Sequence, residues 1–158
     1  IGSYSDVINA NQNSFEIFEC VKKYANKNSS NVILISNGNF KSQLVDNSNF
    51  NSSQLHYTDL STFLPVLAGL KAVFTSHLHL AITAYSLKIP CFSIYVREKT
   101  RRFYAQINHP ERAVDLRYAT PEDFHQLIKD INEAQWTESD EERLKFLKKE
   151  AMKLLEIL

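Results

Sequence analysis

The sequence has no long hydrophobic run. Its longest apolar stretch, Phe63 to Phe74, is broken by Pro65, Gly69 and Lys71, far short of the roughly 20 residues that a membrane-spanning helix needs. It has no signal-peptide pattern and no internal repeat. A surplus of one charge is also missing, because 18 lysines and arginines balance 18 aspartates and glutamates. The overall basic excess expected of a nucleic-acid binder is therefore absent, and any electrostatic function has to be local. Cysteine is scarce: Cys20 falls in an expected helix and Cys91 in an expected buried strand, at no metal-like or redox spacing. Both are expected to be reduced core thiols. Asn28-Ser29-Ser30 and Asn51-Ser52-Ser53 match the glycosylation sequon, as chance matches in a chain rich in Asn and Ser. The chain opens on Ile1 and its one methionine is Met152, so it is expected to be a piece of a larger protein.

What is present suits one domain that needs no disulfide or metal staple. Ser14 reads as the cap of a first helix with Phe15, Phe18, Val21 and Tyr24 on one face. Asn31 to Ser36 reads as a buried strand, since four branched apolar residues in succession are hydrophobic on both faces. Its Ser36-Asn37-Gly38-Asn39 end reads as a turn. An exposed Asn- and Ser-rich loop follows, with one helical turn over Lys41 to Val45. Gln54 to Tyr57 reads as a short strand. Asp59 then caps a helix with Leu60, Phe63, Leu64 and Leu67 as its buried stripe, closed at Gly69.

The centre of the chain, Lys71 to Phe103, reads as one strand-helix-strand unit. Ala72 to Thr75 is a strand, Ala81, Ala84, Tyr85 and Leu87 line a helix, Pro90 stops it, and Cys91 to Tyr95 is a second apolar strand. Two strands joined through one helix are parallel. Ser76-His77-Leu78-His79 thus falls at a strand's carboxyl end and a helix's amino end, where unpaired N–H groups and a partial positive charge attract anions. The next strand ends in Tyr95, followed by Arg97, Lys99, Arg101 and Arg102, with Glu98 the one acid among them.

Thr100 to Ile107 reads as a short helix and Ala113 to Leu116 as an edge strand. Thr120-Pro121-Glu122-Asp123 is a helix start, with a capping hydroxyl, proline at the first position and acids over the first turn. From about Ser139 onward, Leu144, Leu147, Ala151, Leu154 and Leu158 make the narrow seam of a helix packed on one partner. Three partners are open: the chain's own sheet, another domain, or a second copy. The expected fold class is α/β, a Rossmann-like parallel sheet of about five strands with helices on both faces and a C-terminal amphipathic helix over residues 139–158.

About 45 residues of the centre resemble the C-terminal half of the polysaccharide pyruvyl transferase family. The resemblance is carried by Ser76-His77-Leu78-His79, the helix through Leu87, Ile89-Pro90, the strand to Tyr95, and Lys99-Thr100-Arg101-Arg102-Phe103. His77 stands where the family often has Arg, Leu80 where many members have Gly, and one extra residue separates Tyr95 from Lys99. The resemblance implies the C-terminal domain of a two-domain enzyme of the glycosyltransferase B type, completed by an N-terminal domain. Such an enzyme transfers a pyruvyl ketal from phosphoenolpyruvate to a glycan or lipid-linked sugar in cell-surface glycan biosynthesis. It implies a cytoplasmic protein, at most peripheral at the inner membrane face, with no cofactor and no metal, able to form a homodimer and inactive as an isolated chain. His79 would then be catalytic, and Ser76, His77, Tyr95, Arg97, Lys99 and Arg101 would bind substrate. Two other readings remain: a nucleotide-sugar domain of a glycosyltransferase, and a non-catalytic α/β interaction module built on the leucine seam. His56, His109 and His125 receive no role.

Overall fold

In the computed structural model, residues 16, 17, 19–21, 23, 32–36, 52–56 and 60–155 are described. The expected Ser14 cap, the Asn37-Gly38-Asn39 turn, the helical turn over 41–45 and the Asp59 cap lie outside them. The chain is mixed α/β. Strand β1 (Val32–Ser36) pairs in parallel with β2 (Ser52–His56). Strands β3 (Val73–Thr75), β4 (Cys91–Tyr95) and β5 (Ala113–Asp115) form a second, three-stranded sheet in that order, again all parallel. The helices are α1 (Leu60–Ala68), α2 (Leu78–Ser86), α3 (Glu98–Gln106), α4 (Pro121–Glu133) and α5 (Glu138–Leu155), with a 3-10 turn over Pro110–Arg112.

Strand β4 shows why the sheet takes helices on both faces. Successive side chains on a strand point to opposite sides, and Cys91, Phe92, Ser93 and Ile94 are all buried. Cys91 joins a core with Phe63 and Leu67 of α1, Val73 of β3, Ala81, Ala84 and Tyr85 of α2, Tyr104 of α3 and Leu144 of α5. Phe92 and Ile94 join the other core, with Phe124, Leu127 and Ile128 of α4, Leu116, and Ile17 from the helical residues near the start of the chain. Burying side chains of the size of Phe92, Tyr104 and Phe124 stabilises by about 1.5–3 kcal/mol each. The seam of α5 packs inward as far as Leu147, which lies on the first core beside Leu144, whereas Ala151 is exposed.

The helix ends follow local chemistry. Helix α2 stops at Ser86, before Pro90, because Lys88 turns left-handed at φ 64°, with Lys88 N–H donating to Tyr85 O and Ile89 N–H to Ala84 O, both at 3.0 Å. That pair of bonds is the Schellman closure. Helix α3 closes in the same way, with Asn108 at φ 63°, Asn108 N–H donating to Ala105 O at 3.1 Å and His109 N–H to Tyr104 O at 2.9 Å. Helix α3 also begins two residues earlier than its apolar pattern suggests, at Glu98, because an acid in the first turn is favourable there. Helix α4 starts at Pro121 behind a reciprocal Thr120–Asp123 capping box.

Candidate functional site

The three parallel strands present their carboxyl ends along one edge, at about 4.8 Å between neighbours. Thr75 pairs with Ser93, so β4 runs two residues past β3, and Tyr95 pairs with Asp115 at the end of β5. The buried Thr75 hydroxyl accepts from His77 N–H at 2.9 Å, which fixes the turn leaving β3. His77 is the extended residue before α2, and Arg97 is its counterpart before α3. Neither helix start carries a side-chain cap. By contrast, α4 is closed by Thr120 and Asp123, and α5 by Thr137 and Asp140, whose Oδ2 accepts from Thr137 N–H at 3.0 Å and Thr137 Oγ1 at 2.7 Å. Thr100 N–H donates to Arg97 O at 3.1 Å, and the amides of the first turns before it have no side-chain cap among the described residues.

Every sequence-predicted site residue lies on this edge. Ser76, His77 and His79 are exposed on the β3 side, Arg97, Lys99 and Arg101 are exposed on the β4 side, and Tyr95 is half-buried between them. His79 O accepts from Thr83 Oγ1 at 2.9 Å inside α2, a helical bond that leaves its ring uninvolved. Arg101 is paired along its own helix with Glu98, and that hydrogen bond, together with the guanidinium charge, holds the Glu98 carboxyl below its ordinary range. Burial pushes the Tyr95 hydroxyl up, and the nearby Asp115 carboxylate adds to the shift.

Two residues that the sequence did not single out complete the edge. Asp115 ends β5 and accepts from Arg117 N–H at 3.0 Å and Arg117 Nε at 2.8 Å, while Arg117 Nη2 donates to its second oxygen. The hydrogen bond from Arg117 holds the Asp115 carboxyl below its ordinary range. A lone Asp-x-Arg in an edge strand carries no sequence signal for this, since only the register places it beside Tyr95. Arg97, Lys99, Arg101, Arg102 and Arg117 outnumber Glu98 and Asp115 on the segments that follow β4 and β5, so this part of the chain is locally cationic although the whole has no net charge.

A second polar cluster sits at the opposite, amino-terminal edge. Asp140 is fully buried, with Oδ1 2.7 Å from His109 Nε2 and 3.5 Å from Arg112 Nη1, and His109 Nδ1 is 2.7 Å from Glu111 Oε1. Burial works against the Asp140 carboxylate, but the hydrogen bonds from Thr137 and the charges of Arg112 and His109 prevail and hold its pKa low. Tyr85 donates to Asp140 O at 3.3 Å, and burial pushes its hydroxyl up to about 12. This cluster ties α5 to the segment before β5 through the fully buried Asp140, while Glu111 at its outer end is exposed.

Among the described residues no three of His, Cys, Asp and Glu are grouped to hold a metal ion, and no helix is long and apolar enough to cross a membrane. Comparison of the chain with protein-family profiles, with curated proteins and with solved structures finds no match.

Proposed function

We propose that the strand-end edge binds the anionic donor of a pyruvyl transferase, with phosphoenolpyruvate as that donor and a sugar of a glycan as acceptor. One observation carries the reading: the two adjacent helix starts that lack a side-chain cap, α2 and α3, are the two that carry His77, His79, Arg97 and Lys99. A helix start alone contributes about 0.3–1 kcal/mol toward an anion. Two or three charge-assisted hydrogen bonds at about 1.5–3 kcal/mol each bring binding into the millimolar to micromolar range.

In this reading Lys99, Arg97 and Arg101 hold the charges of phosphoenolpyruvate, and His77, Ser76 and the α2 amides cradle its phosphate. Two acceptor hydroxyls add to the enol carbon and release two protons. His79 delivers one to the methylene carbon, which becomes a methyl group, and the other leaves with the phosphate. Tyr95 borders the site from β4. The reading also takes β1 and β2 as extending the sheet to a five-stranded Rossmann-like one, and expects an N-terminal domain to supply the acceptor side. An interaction module is less well supported, because Leu144 and Leu147 of the leucine seam pack within the chain's own core.

The test is a titration with phosphoenolpyruvate and, separately, with uridine diphosphate sugars, following the imidazole resonances of His77 and His79. Shifts with phosphoenolpyruvate alone, lost in Lys99→Ala, are expected. Shifts with the nucleotide alone assign the edge to a glycosyltransferase and sink the proposal.

A further inference from the structure

The geometry points to the Tyr118 ring as the platform on which the strand-end edge seats a pyranose, the acceptor sugar, by stacking on its apolar C–H face. The inference rests on reading that edge as the donor site of a transferase that acts on a sugar. The backbone places the residue there. Leu116 N–H donates to Tyr95 O at 2.8 Å, so the chain leaving β5 is bonded to the end of β4, and Tyr118 N–H donates back to Asp115 O at 3.1 Å. Two residues cannot carry the chain more than about 7 Å. Tyr118 therefore stands at the carboxyl ends of β4 and β5.

The ring is held in place but left open. Tyr118 is 70% exposed, the most exposed large apolar side chain among the described residues, although aromatic side chains gain most from burial. The Arg117 guanidinium, its carbon 5.3 Å from the ring centroid, covers one face and is itself bonded through Nε to Asp115 at 2.8 Å. At 70% exposure the other face is turned to solvent. The turn is pinned again on its far side, where Thr120 and Asp123 form the capping box of α4. Val96, 44% exposed, directly follows Tyr95 and adds a second apolar surface to the same edge. Cationic helix starts thus border an aromatic face that is rigid before any ligand arrives. The cations suit phosphoenolpyruvate, and the ring suits the C–H face of a pyranose, since a rigid aromatic loses little conformational freedom on contact. An N-terminal domain closes on the other side of the same sugar.

The experiment is saturation-transfer NMR of the full chain with methyl β-galactopyranoside, run beside titrations with phosphoenolpyruvate and with uridine. Saturation is expected to reach the ring C–H hydrogens of the sugar, to be lost in Tyr118→Ala, and to be retained in Tyr118→Phe and Tyr118→Trp, which keep an aromatic face. The phosphoenolpyruvate shifts of His77 and His79 are expected to be the same in every variant, which also shows that the alanine chain is folded. Sugar signals absent from the unaltered chain, or undiminished in Tyr118→Ala, overturn the inference, as does uridine taking the ring in the sugar's place. Phosphoenolpyruvate binding with no sugar signal sinks this inference alone. Sugar signals that depend on Tyr118 in a chain that does not bind phosphoenolpyruvate leave the platform standing and sink the pyruvyl-donor reading.

Discussion

Replacing Asp140 by alanine is expected to destabilise the fold more than the loss of any single surface charge. The carboxylate is fully buried and accepts from Thr137 N–H at 3.0 Å, Thr137 Oγ1 at 2.7 Å and the His109 ring at 2.7 Å. Arg112 Nη1 is buried, makes no hydrogen bond among the described residues and is compensated by the Asp140 charge at 3.5 Å. Removing one partner of a buried ion pair strands the other, at about 3–5 kcal/mol. For a chain of this size each kcal/mol moves the melting temperature by about 2–4 °C, so Asp140→Ala should melt about 6–20 °C below the unaltered chain by circular dichroism. The pH dependence has a defined sign. A carboxyl whose folded pKa is lowered contributes stability above its unfolded value, near 3.9, and loses it as pH falls through the folded value. The gap between the two chains should therefore close below about pH 4. A Asp140→Ala chain that melts within about 2 °C of the unaltered one at neutral pH would refute the assignment of this cluster as the tie between α5 and the sheet.

Two further outcomes follow from the same geometry. Burial pushes the Cys91 thiol up to about 11 and encloses it, so in a Cys20→Ser background an aromatic disulfide reagent at pH 8 should label it only as fast as the domain opens; prompt stoichiometric labelling would contradict the fold. Glu98→Gln removes a carboxylate from the first turn of α3 and releases Arg101 from its intrahelical pair, so calorimetric phosphate affinity should rise several-fold. A fall would mean that Glu98 instead holds Arg101 in place for the ligand.

The three-stranded sheet and its helices were legible because their signals are local. Cys91 to Tyr95 is an apolar, aromatic-rich run interrupted by Ser93, and it forms β4 over the same five residues. Thr120-Pro121-Glu122-Asp123 carries its cap, its proline and its acids within one turn. The positions of Ser76, His77 and His79 followed from the same strand-turn-helix logic. What could not be read depends on contacts between distant residues. Nothing near His109 reveals that Asp140, 31 residues further on, lies 2.7 Å from its ring. Asp140 looks in sequence like one more acid at a helix start, and its role as a cap is local, but its complete burial is decided by where α5 lands. Asp115 was missed for a related reason, since parallel register alone sets it beside Tyr95, and Arg117 enters through its bonds to Asp115.

The order β3-β4-β5 has a kinetic consequence. Neighbours in this sheet are also successive strands in the chain, joined through one helix between β3 and β4 and through a helix and a 3-10 turn between β4 and β5, so its loops are short and their closure cost grows only slowly with length. The tie between His109 and Asp140 closes a longer loop and needs the sheet's amino-terminal edge already in place to receive α5. Contacts that form after the sheet act on the rate of opening rather than on the rate of closing, so Asp140→Ala is expected to speed unfolding and leave the refolding rate unchanged, which stopped-flow refolding and unfolding check. On that expectation the buried carboxylate of α5 is a latch on the sheet, setting how long the folded domain persists once made.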